Sequence, residues 1–292
     1  MILQSDDLQN LAELADHAAR AAGALIMQYR DCEVAVEHKA GAHTYASQVV
    51  TEVDRRSQDL ILEALLPTCG AFDLGLLTEE STDDESRFDK DYFWCIDPMD
   101  GTLSFIEGKP GFAVSIALVA RDGLPHIGVV YDPVEGVLYR AIKGQGLIFN
   151  GSPWQAPTEN TTLTLFHDRS FLDQPEHASV MSGLETLAAD LGYTGLAQGA
   201  NGGAVLNACH VLEHAPACYF KQSKPESGGG SIWDFAATAC IVGESRGWVS
   251  DIQGQPLALN RTGTTFMNEG GALFASDAMI AQRIKTMIRE SF

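Results

Sequence analysis

Apolar residues recur at helical spacing near the start of the chain. From Leu8 to Tyr29 they return every three or four positions, which predicts an amphipathic helix with one buried face. A second helix is predicted from Thr51 to Leu66, with Thr51 as its N-cap and Pro67 as the residue that ends it. The polar, glycine-containing residues 34–48 lie between these helices and predict a loop or a short hairpin.

Short apolar runs in the next part of the chain predict the strands of one sheet. Residues 92–96 are aromatic or apolar at every position, which is typical of a strand buried on both faces. Further strands are predicted at residues 112–120, 127–131 and 137–142, and a weaker one at residues 71–77. Because turn sequences such as Asp122-Gly123 make the connections short, we expect an antiparallel meander. The acidic, serine-rich residues 81–91 predict an exposed loop.

Strand and helix candidates alternate in the second half of the chain, which predicts an α/β organisation. Strands are predicted at residues 162–166, 217–220, 248–252 and 272–275, and helices at residues 176–191, 203–212, 233–245 and 277–289. Because the rhythm differs between the two halves, we predict an N-terminal α+β lobe over residues 1–155 and a C-terminal α/β lobe over residues 156–292.

Composition and charge disfavour several classes of protein. Hydrophobic residues make up 45% of the chain and charged residues 20%, which is ordinary for a globular protein. A net charge of −20 offers no broad basic surface, so we do not expect nucleic acid as a partner. The first residues lack the pattern of a secretory signal, and no apolar run reaches the length of a membrane span. The six cysteines show no metal-site spacing, so we expect reduced thiols in a cytoplasmic protein. Because the chain lacks both a broad basic surface and a membrane-length apolar run, we expect no membrane partner.

Two carboxylates three residues apart follow the strand predicted at residues 92–96. They belong to the run Asp97-Pro98-Met99-Asp100-Gly101-Thr102, which Pro98 stiffens. Carboxylates held close together repel each other unless a cation joins them, and a few hard oxygen ligands are what magnesium prefers. The alternative is a pair of ordinary turns that bind nothing, and the run alone leaves both interpretations open.

Two more acidic positions stand where strands and helices begin or end. Glu79, followed by Glu80, comes at the end of the weaker strand candidate, and Asp234 comes at the start of a predicted helix. Taken singly, the glutamates would be loop surface, and Asp234 would be a first-turn acid that the helix dipole favours.

These acidic motifs together resemble the inositol monophosphatase superfamily, a group of lithium-sensitive, magnesium-dependent phosphatases. The matching segments are Glu79-Glu80-Ser81, the run from Trp94 through Asp97-Pro98-Met99-Asp100-Gly101-Thr102 to Phe105, and Ile232-Trp233-Asp234 with Ala236-Ala237. Shorter matches follow in the family's order, so the resemblance covers nearly the whole chain. It implies an α/β (α+β) fold, a layered αβαβα sandwich of the sugar phosphatase type with the site between its two lobes. It also implies a homodimer.

The resemblance implies two or three Mg²⁺ ions at this site. The ligands of the first ion would be Glu79, Asp97 and the carbonyl of Met99, and those of the second would be Asp97, Asp100 and Asp234. Most of these ligands belong to the predicted N-terminal lobe. Asp54 matches a family aspartate that helps to bind a third, weaker ion and the water. It also stands three residues after Thr51, so capping of the helix is the alternative role.

The resemblance further implies which residues hold the phosphate and prepare the attacking water. Gly101 and Thr102 would present backbone N–H groups to the phosphate, which Asp100 and Asp234 would also border. Thr102, supported by Glu79, would orient or deprotonate the water. Gly202-Gly203-Ala204 partly matches a Gly-Thr-Ala sequence of the inositol branch and is predicted to bind substrate.

The choice between substrates depends on a few positions at which the branches of the family differ. In the inositol branch a glutamate seven residues before the Trp-Asp aspartate binds the inositol hydroxyls, and this position is Ser227 here, next to Glu226. The lysines that often follow the metal motif in the nucleotidase branch are absent after Thr102. Lys221 and Lys224 could supply charge to a second phosphate, or could be surface lysines.

We therefore expect a phosphoric monoester hydrolase that acts on a small polyol monophosphate, with inositol monophosphate as the first choice. One alternative is a 3'(2'),5'-bisphosphate nucleotidase that acts on 3'-phosphoadenosine 5'-phosphate. An alternative of another class is a non-catalytic regulatory protein that binds protein or RNA partners. The presence of every expected carboxylate favours the enzyme.

Overall fold

The computed structural model describes the backbone of residues 2–30, 36–38, 49–200 and 202–291, and the side chains of these residues apart from 36–38, 49–51, 290 and 291. Its helices are α1 (Ser5–Tyr29), α2 (Glu52–Phe72), α3 (Ser86–Asp89), α4 (Thr102–Ile106), α5 (His177–Asp190), α6 (Ala204–Glu213), α7 (Ile232–Glu244) and α8 (Ala278–Ser291), with a 3₁₀ turn at Arg169–Asp173. Most of the predicted loop at residues 34–48 lies outside the described residues.

The strands form two larger sheets and one small ribbon. The ribbon pairs β1 (Val36–His38) with β2 (Val49–Thr51). The first sheet consists of β3 (Gly75–Thr78), β4 (Tyr92–Asp100), β5 (Ala113–Ala120), β6 (Pro125–Asp132), β7 (Val137–Ile142), β8 (Gly146–Phe149) and β9 (Ser152–Pro153). The second sheet consists of β10 (Leu163–Phe166), β11 (Leu196–Gly199), β12 (Ala217–Lys221), β13 (Trp248–Ser250) and β14 (Ala272–Ala275).

The first sheet is the predicted antiparallel meander with one parallel strand added at its edge. From β4 to β9 each strand pairs antiparallel with the next one along the chain, and β3 pairs parallel with β4. The second sheet has the order β11-β10-β12-β14-β13, with β10 parallel to both of its neighbours. The carboxyl ends of β10 and β12 therefore lie side by side at one edge of this sheet.

Helices and sheets alternate in five layers, as the predicted fold class requires. Helices α1 and α2 cover the outer face of the first sheet, α6 and α7 lie between the sheets, and α5 and α8 cover the outer face of the second sheet. One apolar core joins Phe93 and Val130 of the first sheet to Tyr219 and Phe274 of the second, with Phe235 of α7 between them. Helix α7, which carries Asp234 in its first turn, thus packs against both sheets.

A glycine in the first sheet sets how closely α7 approaches it. A Cβ atom at Gly128 would lie 2.3 Å from the carbonyl oxygen of Ala237, which is far inside van der Waals contact. The absence of a side chain at this strand position therefore fixes the distance between the sheet and the start of α7.

The predicted end of the second helix and the predicted start of the strand after it were both wrong. Helix α2 continues through Pro67 to Phe72, so residues 71 and 72, predicted as strand, are helical. Burial of Ile61, Leu65 and Thr68 stabilises the helix on both sides of Pro67, although proline removes one helical hydrogen bond. The Thr68 hydroxyl donates to the Leu65 carbonyl at 2.6 Å and accepts from the Trp94 indole at 2.9 Å.

The predicted exposed loop at residues 81–91 contains a short helix and a buried cation. Arg87 is only 2% exposed, because its guanidinium pairs with Asp83 at 2.8 Å and donates to the Asn260 side chain at 2.6 Å. Strands β8, β9 and β11 were missed, since two to four residues are too few to show an alternating pattern. Within the part of the chain that the structure describes, no helix combines the length and apolarity that a membrane span requires.

Candidate metal centre

The predicted turn after residue 96 is the end of strand β4. The strand continues to Asp100, with Asp97 paired to Ser115 and Asp100 paired to Ala113 across β5. Residues three apart on a regular strand point to opposite faces. The register shifts between Asp97 and Asp100, and such a bulge re-aims side chains so that both carboxylates can face one site.

Asp97, Asp100 and Asp234 come together in space. Each offers a carboxylate oxygen, and the three atoms lie within 4.8 Å of one another. Asp97 is 1% exposed, whereas Asp100 and Asp234 are half-buried. Two ligand candidates thus come from β4 and the third from α7, which approaches from the other side.

Backbone contacts around the end of β4 hold this segment in place. The Met99 N–H donates to Asp97 Oδ1 at 3.0 Å, and the Ser57 hydroxyl of α2 donates to the Pro98 carbonyl at 2.8 Å. Gly101 has φ +86°, and a Cβ atom there would lie 2.3 Å from the Gly111 carbonyl oxygen. Both the left-handed backbone and the close approach require glycine at position 101.

Asp234 is fixed by the way α7 begins. Its Oδ2 accepts the Ser231 N–H at 2.9 Å, and the two residues form a capping box. Gly230, with φ +108°, leaves room for this contact, because a Cβ atom there would lie 3.0 Å from Asp234 Oδ2. The first-turn acid predicted from the sequence is thus both a cap and a member of the carboxylate cluster.

Asp100 faces the N-terminus of helix α6. The Val205 N–H donates to Asp100 Oδ2 at 2.8 Å, and the Gly203 N–H donates to the Gly111 carbonyl at 3.0 Å. A Cβ atom at Gly203 would lie 2.2 Å from Asp100 Oδ2. The predicted substrate segment Gly202-Gly203-Ala204 therefore lies directly beside the cluster.

The carboxylates perturb each other's ionisation. Burial, followed by repulsion from Glu79 and Asp100, raises the pKa of Asp97 well above its usual range. Burial and the charge of Asp234 raise the pKa of Asp100 to about 7. Burial also raises the pKa of Asp234. Several crowded carboxylates of this kind are stabilised by a divalent cation, and their hard oxygen atoms suit magnesium, manganese or calcium.

The other predicted site residues surround this cluster. Glu79 lies beside Asp97, to which its carboxyl is hydrogen-bonded. The Thr102 hydroxyl is 3.1 Å from the Met99 carbonyl and 3.4 Å from Asp54 Oδ1. Asp54 is buried and faces Thr102, which places it at the site. The alternative role of Asp54, capping of helix α2, would involve the Thr51 side chain, which lies outside the described part of the structure.

Sequence reasoning missed Asp168 and undervalued Lys221. The Lys221 ammonium lies 2.8 Å from Asp168 Oδ2, and its charge lowers the pKa of both Asp100 and Asp234 against the effect of burial. Lys221 is the last residue of β12, and Asp168 comes two residues after β10. These parallel strands bring the side chains at their carboxyl ends to the same edge of the sheet. Asp168 could have been predicted from its position just after a strand that is parallel to the strand ending at Lys221. Glu226 and Ser227, the sugar-binding candidates, are exposed in the loop after Lys221.

Comparisons with known proteins agree over the length of the chain. Residues 7–288 match the model of the inositol monophosphatase family. The inositol-1-monophosphatase of Synechocystis sp. is 32% identical over 272 residues, which cover 92% of this chain and 88% of the relative. The Nus factor SuhB of Haemophilus influenzae is 29% identical over 280 residues, which cover 94% of each chain. The solved structure of inositol monophosphatase from Anabaena superposes with a TM-score of 0.70 at 24% identity, over 97% of both chains, which shows the same fold.

Proposed function

Because this chain belongs to the inositol monophosphatase family, we propose that it is a magnesium-dependent phosphomonoesterase acting on a small polyol monophosphate, with inositol monophosphate as the first substrate to test. The convergence of the Asp97, Asp100 and Asp234 carboxylates within 4.8 Å carries this proposal. The name of the Synechocystis relative supports the choice of inositol monophosphate.

The acidic residues divide between two metal positions in this proposal. Glu79, Asp97 and the Met99 carbonyl would hold one Mg²⁺, and Asp97, Asp100 and Asp234 would hold the other. Asp54 would assist a third, weaker ion. Bound Mg²⁺ ions would neutralise the phosphoryl oxygens and make a water molecule more acidic.

Protein groups would orient the attacking water. The Thr102 hydroxyl donates its proton to the Met99 carbonyl at 3.1 Å or to Asp54 Oδ1 at 3.4 Å, so in either case its oxygen is left as an acceptor for a proton of the water. Glu79, on the other side of the site, would help to hold that water. The backbone N–H groups of Gly101 and Thr102 would face the phosphate, and Gly203 would leave space for it beside Asp100. Asp97, Asp100 and Asp234 would not transfer a proton, since their role is to hold cations.

A phosphate-release screen with Mg²⁺ tests this function directly. The substrates are inositol 1-phosphate, 3'-phosphoadenosine 5'-phosphate, fructose 1,6-bisphosphate and histidinol phosphate, with the Asp97→Asn variant as the control for contaminating phosphatase. We expect release from inositol 1-phosphate by the wild type alone. Release from the nucleotide and none from inositol 1-phosphate would overturn the leading substrate.

The bisphosphate nucleotidase is the second candidate, and Lys221 is the observation that favours it. Its ammonium lies near Asp100 and Asp234, where it could bind a second phosphate group. A non-catalytic regulatory role is the third candidate, supported by the relative named as a Nus factor. Absence of both magnesium binding and phosphomonoester hydrolysis would favour that role.

The homodimer remains a proposal based on the family resemblance. Light scattering coupled to size-exclusion chromatography measures it, and a mass near 31.4 kDa, that of one chain, would overturn it.

A further inference from the structure

Lys221 is the last residue of strand β12 and is largely buried. Its side chain is 16% exposed, and its ammonium lies 2.8 Å from Asp168 Oδ2 and 5.5 Å from the centre of the Phe235 ring. Phe235 directly follows Asp234 on α7. A lysine on the surface would be mobile and screened by solvent, but this one holds a positive charge at a fixed place next to the carboxylate cluster.

Asp168 and two buried side chains hold that charge in position. Asp168 Oδ1 accepts the Tyr219 hydroxyl at 3.0 Å and lies 3.5 Å from the Asn207 amide, while Oδ2 accepts Lys221. Tyr219 and Asn207 are fully buried. Asn207 belongs to α6, the helix whose Val205 N–H binds Asp100, so the network is joined to the cluster through one rigid element.

Lys221 and Asp168 act on the carboxylate cluster with opposite signs. The Lys221 ammonium lies against the ring of Phe235, the neighbour of Asp234 on α7, and therefore places a positive charge beside the cluster. Asp168 is held by Asn207 of α6, the helix whose Val205 N–H binds Asp100, and places a negative charge on the same side. A cation bound by Asp100 and Asp234 would experience the same two charges. Lys221 would repel it, and Asp168 would offset part of that repulsion.

We propose that Lys221 is a positioning residue of the metal centre: its fixed ammonium weakens the binding of a divalent cation by Asp100 and Asp234, and Asp168 limits this effect by pairing with it. The inference rests on the proposed function, since it needs a metal to be bound there. It concerns the ion held between β4 and α7 and leaves the ion on the Glu79 side little affected. The affinity of the site for its second ion is thus set by a charged pair outside the ligands themselves.

Metal titration of single variants separates this role from a structural one. Mn²⁺ is added to the full-length protein, and the free ion is measured by electron paramagnetic resonance. Lys221→Met should tighten the weaker class of binding by about tenfold, because it removes a neighbouring positive charge and leaves Asp168 unpaired. Asp168→Asn should weaken the same class, by roughly tenfold, because the positive charge of Lys221 is then uncompensated.

Three further variants are the controls. Lys221→Arg keeps the charge and should bind Mn²⁺ like the wild type. Lys224→Met removes an equal charge three residues further along the chain and should change neither class of binding. The double variant K221M/D168N removes both charges and should return close to the wild-type affinity, and it avoids burying an unpaired carboxylate if Lys221→Met alone does not fold.

The outcomes distinguish this inference from the proposed function. Damage to the fold would weaken binding in both single variants, so a tighter site in Lys221→Met supports the inference. Equal weakening in both, or unchanged binding in both, would overturn it while the wild type still binds metal. A wild type that binds no Mn²⁺ or Mg²⁺ would overturn the proposed function and this inference together.

Discussion

Two segments of the chain form the two sides of the carboxylate cluster, and they do so in different ways. One is the strand segment at residues 97–102, and the other is the loop-and-helix segment at residues 221–234. The strand segment carries two carboxylates close in sequence, and a bulge turns both towards one site. The loop-and-helix segment carries one carboxylate, which a helix cap fixes, and a cation whose partner stands 53 positions earlier at Asp168.

This difference shows which charged side chains of the site can be placed from local sequence and which cannot. The position of Asp97 depends on contacts with nearby residues, such as the Met99 N–H. The charge next to Asp234 depends on two parallel strands ending at the same edge of the second sheet. A short motif therefore describes one side of the site, whereas the other side depends on the alignment of strands that are distant in sequence.

Removing charge from the strand segment should have the largest effect. Asp97→Asn should lower kcat by about 10³-fold or more, because this carboxylate would serve both metal positions and lies buried among three other acids. Steady-state phosphate release at saturating Mg²⁺ measures it, with circular dichroism as a check on the fold. Near-normal activity would show that Asp97 is not the bridging residue.

Asp100→Asn and Asp234→Asn test whether the two segments share one ion. Each should weaken the second class of metal binding by roughly 10- to 100-fold, since each removes one ligand of the same cation. The fold should persist, because an amide oxygen can still accept from Val205 or Ser231. Calorimetric Mg²⁺ titration measures this. A loss confined to one of the two variants would argue against a shared ion.

Gly203→Ala tests the contact between α6 and the strand segment. A methyl group would lie 2.2 Å from Asp100 Oδ2 and must displace it, so we expect kcat/KM to fall by roughly 10- to 100-fold. Gly195→Ala is the matched control, because a Cβ atom there meets nothing within 4 Å. Equal kcat/KM in the two variants would show that displacement of the Asp100 carboxylate does not affect activity.

The raised pKa of Asp100 predicts a pH dependence of stability. Because burial raises this pKa from 3.8 to about 7, the folded metal-free protein keeps a proton that the unfolded chain loses between these values. The free energy of unfolding should therefore fall as the pH rises from 4 to 7, and the gain in Tm on adding Mg²⁺ should grow over the same range. Thermal unfolding at several pH values measures both trends, and Asp100→Asn should flatten them.

Particular residues show how far sequence reasoning reached. The apolar run at residues 92–96 predicted an interior strand of the first sheet, β4, because a strand buried on both faces must be apolar throughout. The same reasoning ended that strand at Ile96, since Pro98 and Gly101 are typical of turns. In the structure the backbone continues as a strand to Asp100. A bulge within the strand, and not a turn after it, brings the two carboxylates to one side.

At Pro67 and Arg87, predictions from local sequence were wrong because tertiary contacts outweighed local preferences. Each was assigned its ordinary role, a helix end and an exposed loop residue, from its own chemistry. Packing of α2 on the sheet and pairing of Arg87 with Asp83 and Asn260 outweighed those local preferences. Such contacts join residues up to 173 positions apart, which no local pattern records.

The sequence by itself determined the α/β organisation and the meander, because periodicity and turn residues are local properties. Its acidic motifs singled out three carboxylates through their resemblance to a known family. Only the tertiary structure decided that Asp97 and Asp100 face the same side, that Gly203 presses against Asp100, and that Asp168 neutralises Lys221. These relations depend on a bulge, a helix–strand approach and the register of parallel strands. Each of them arises from packing between segments that the chain keeps far apart.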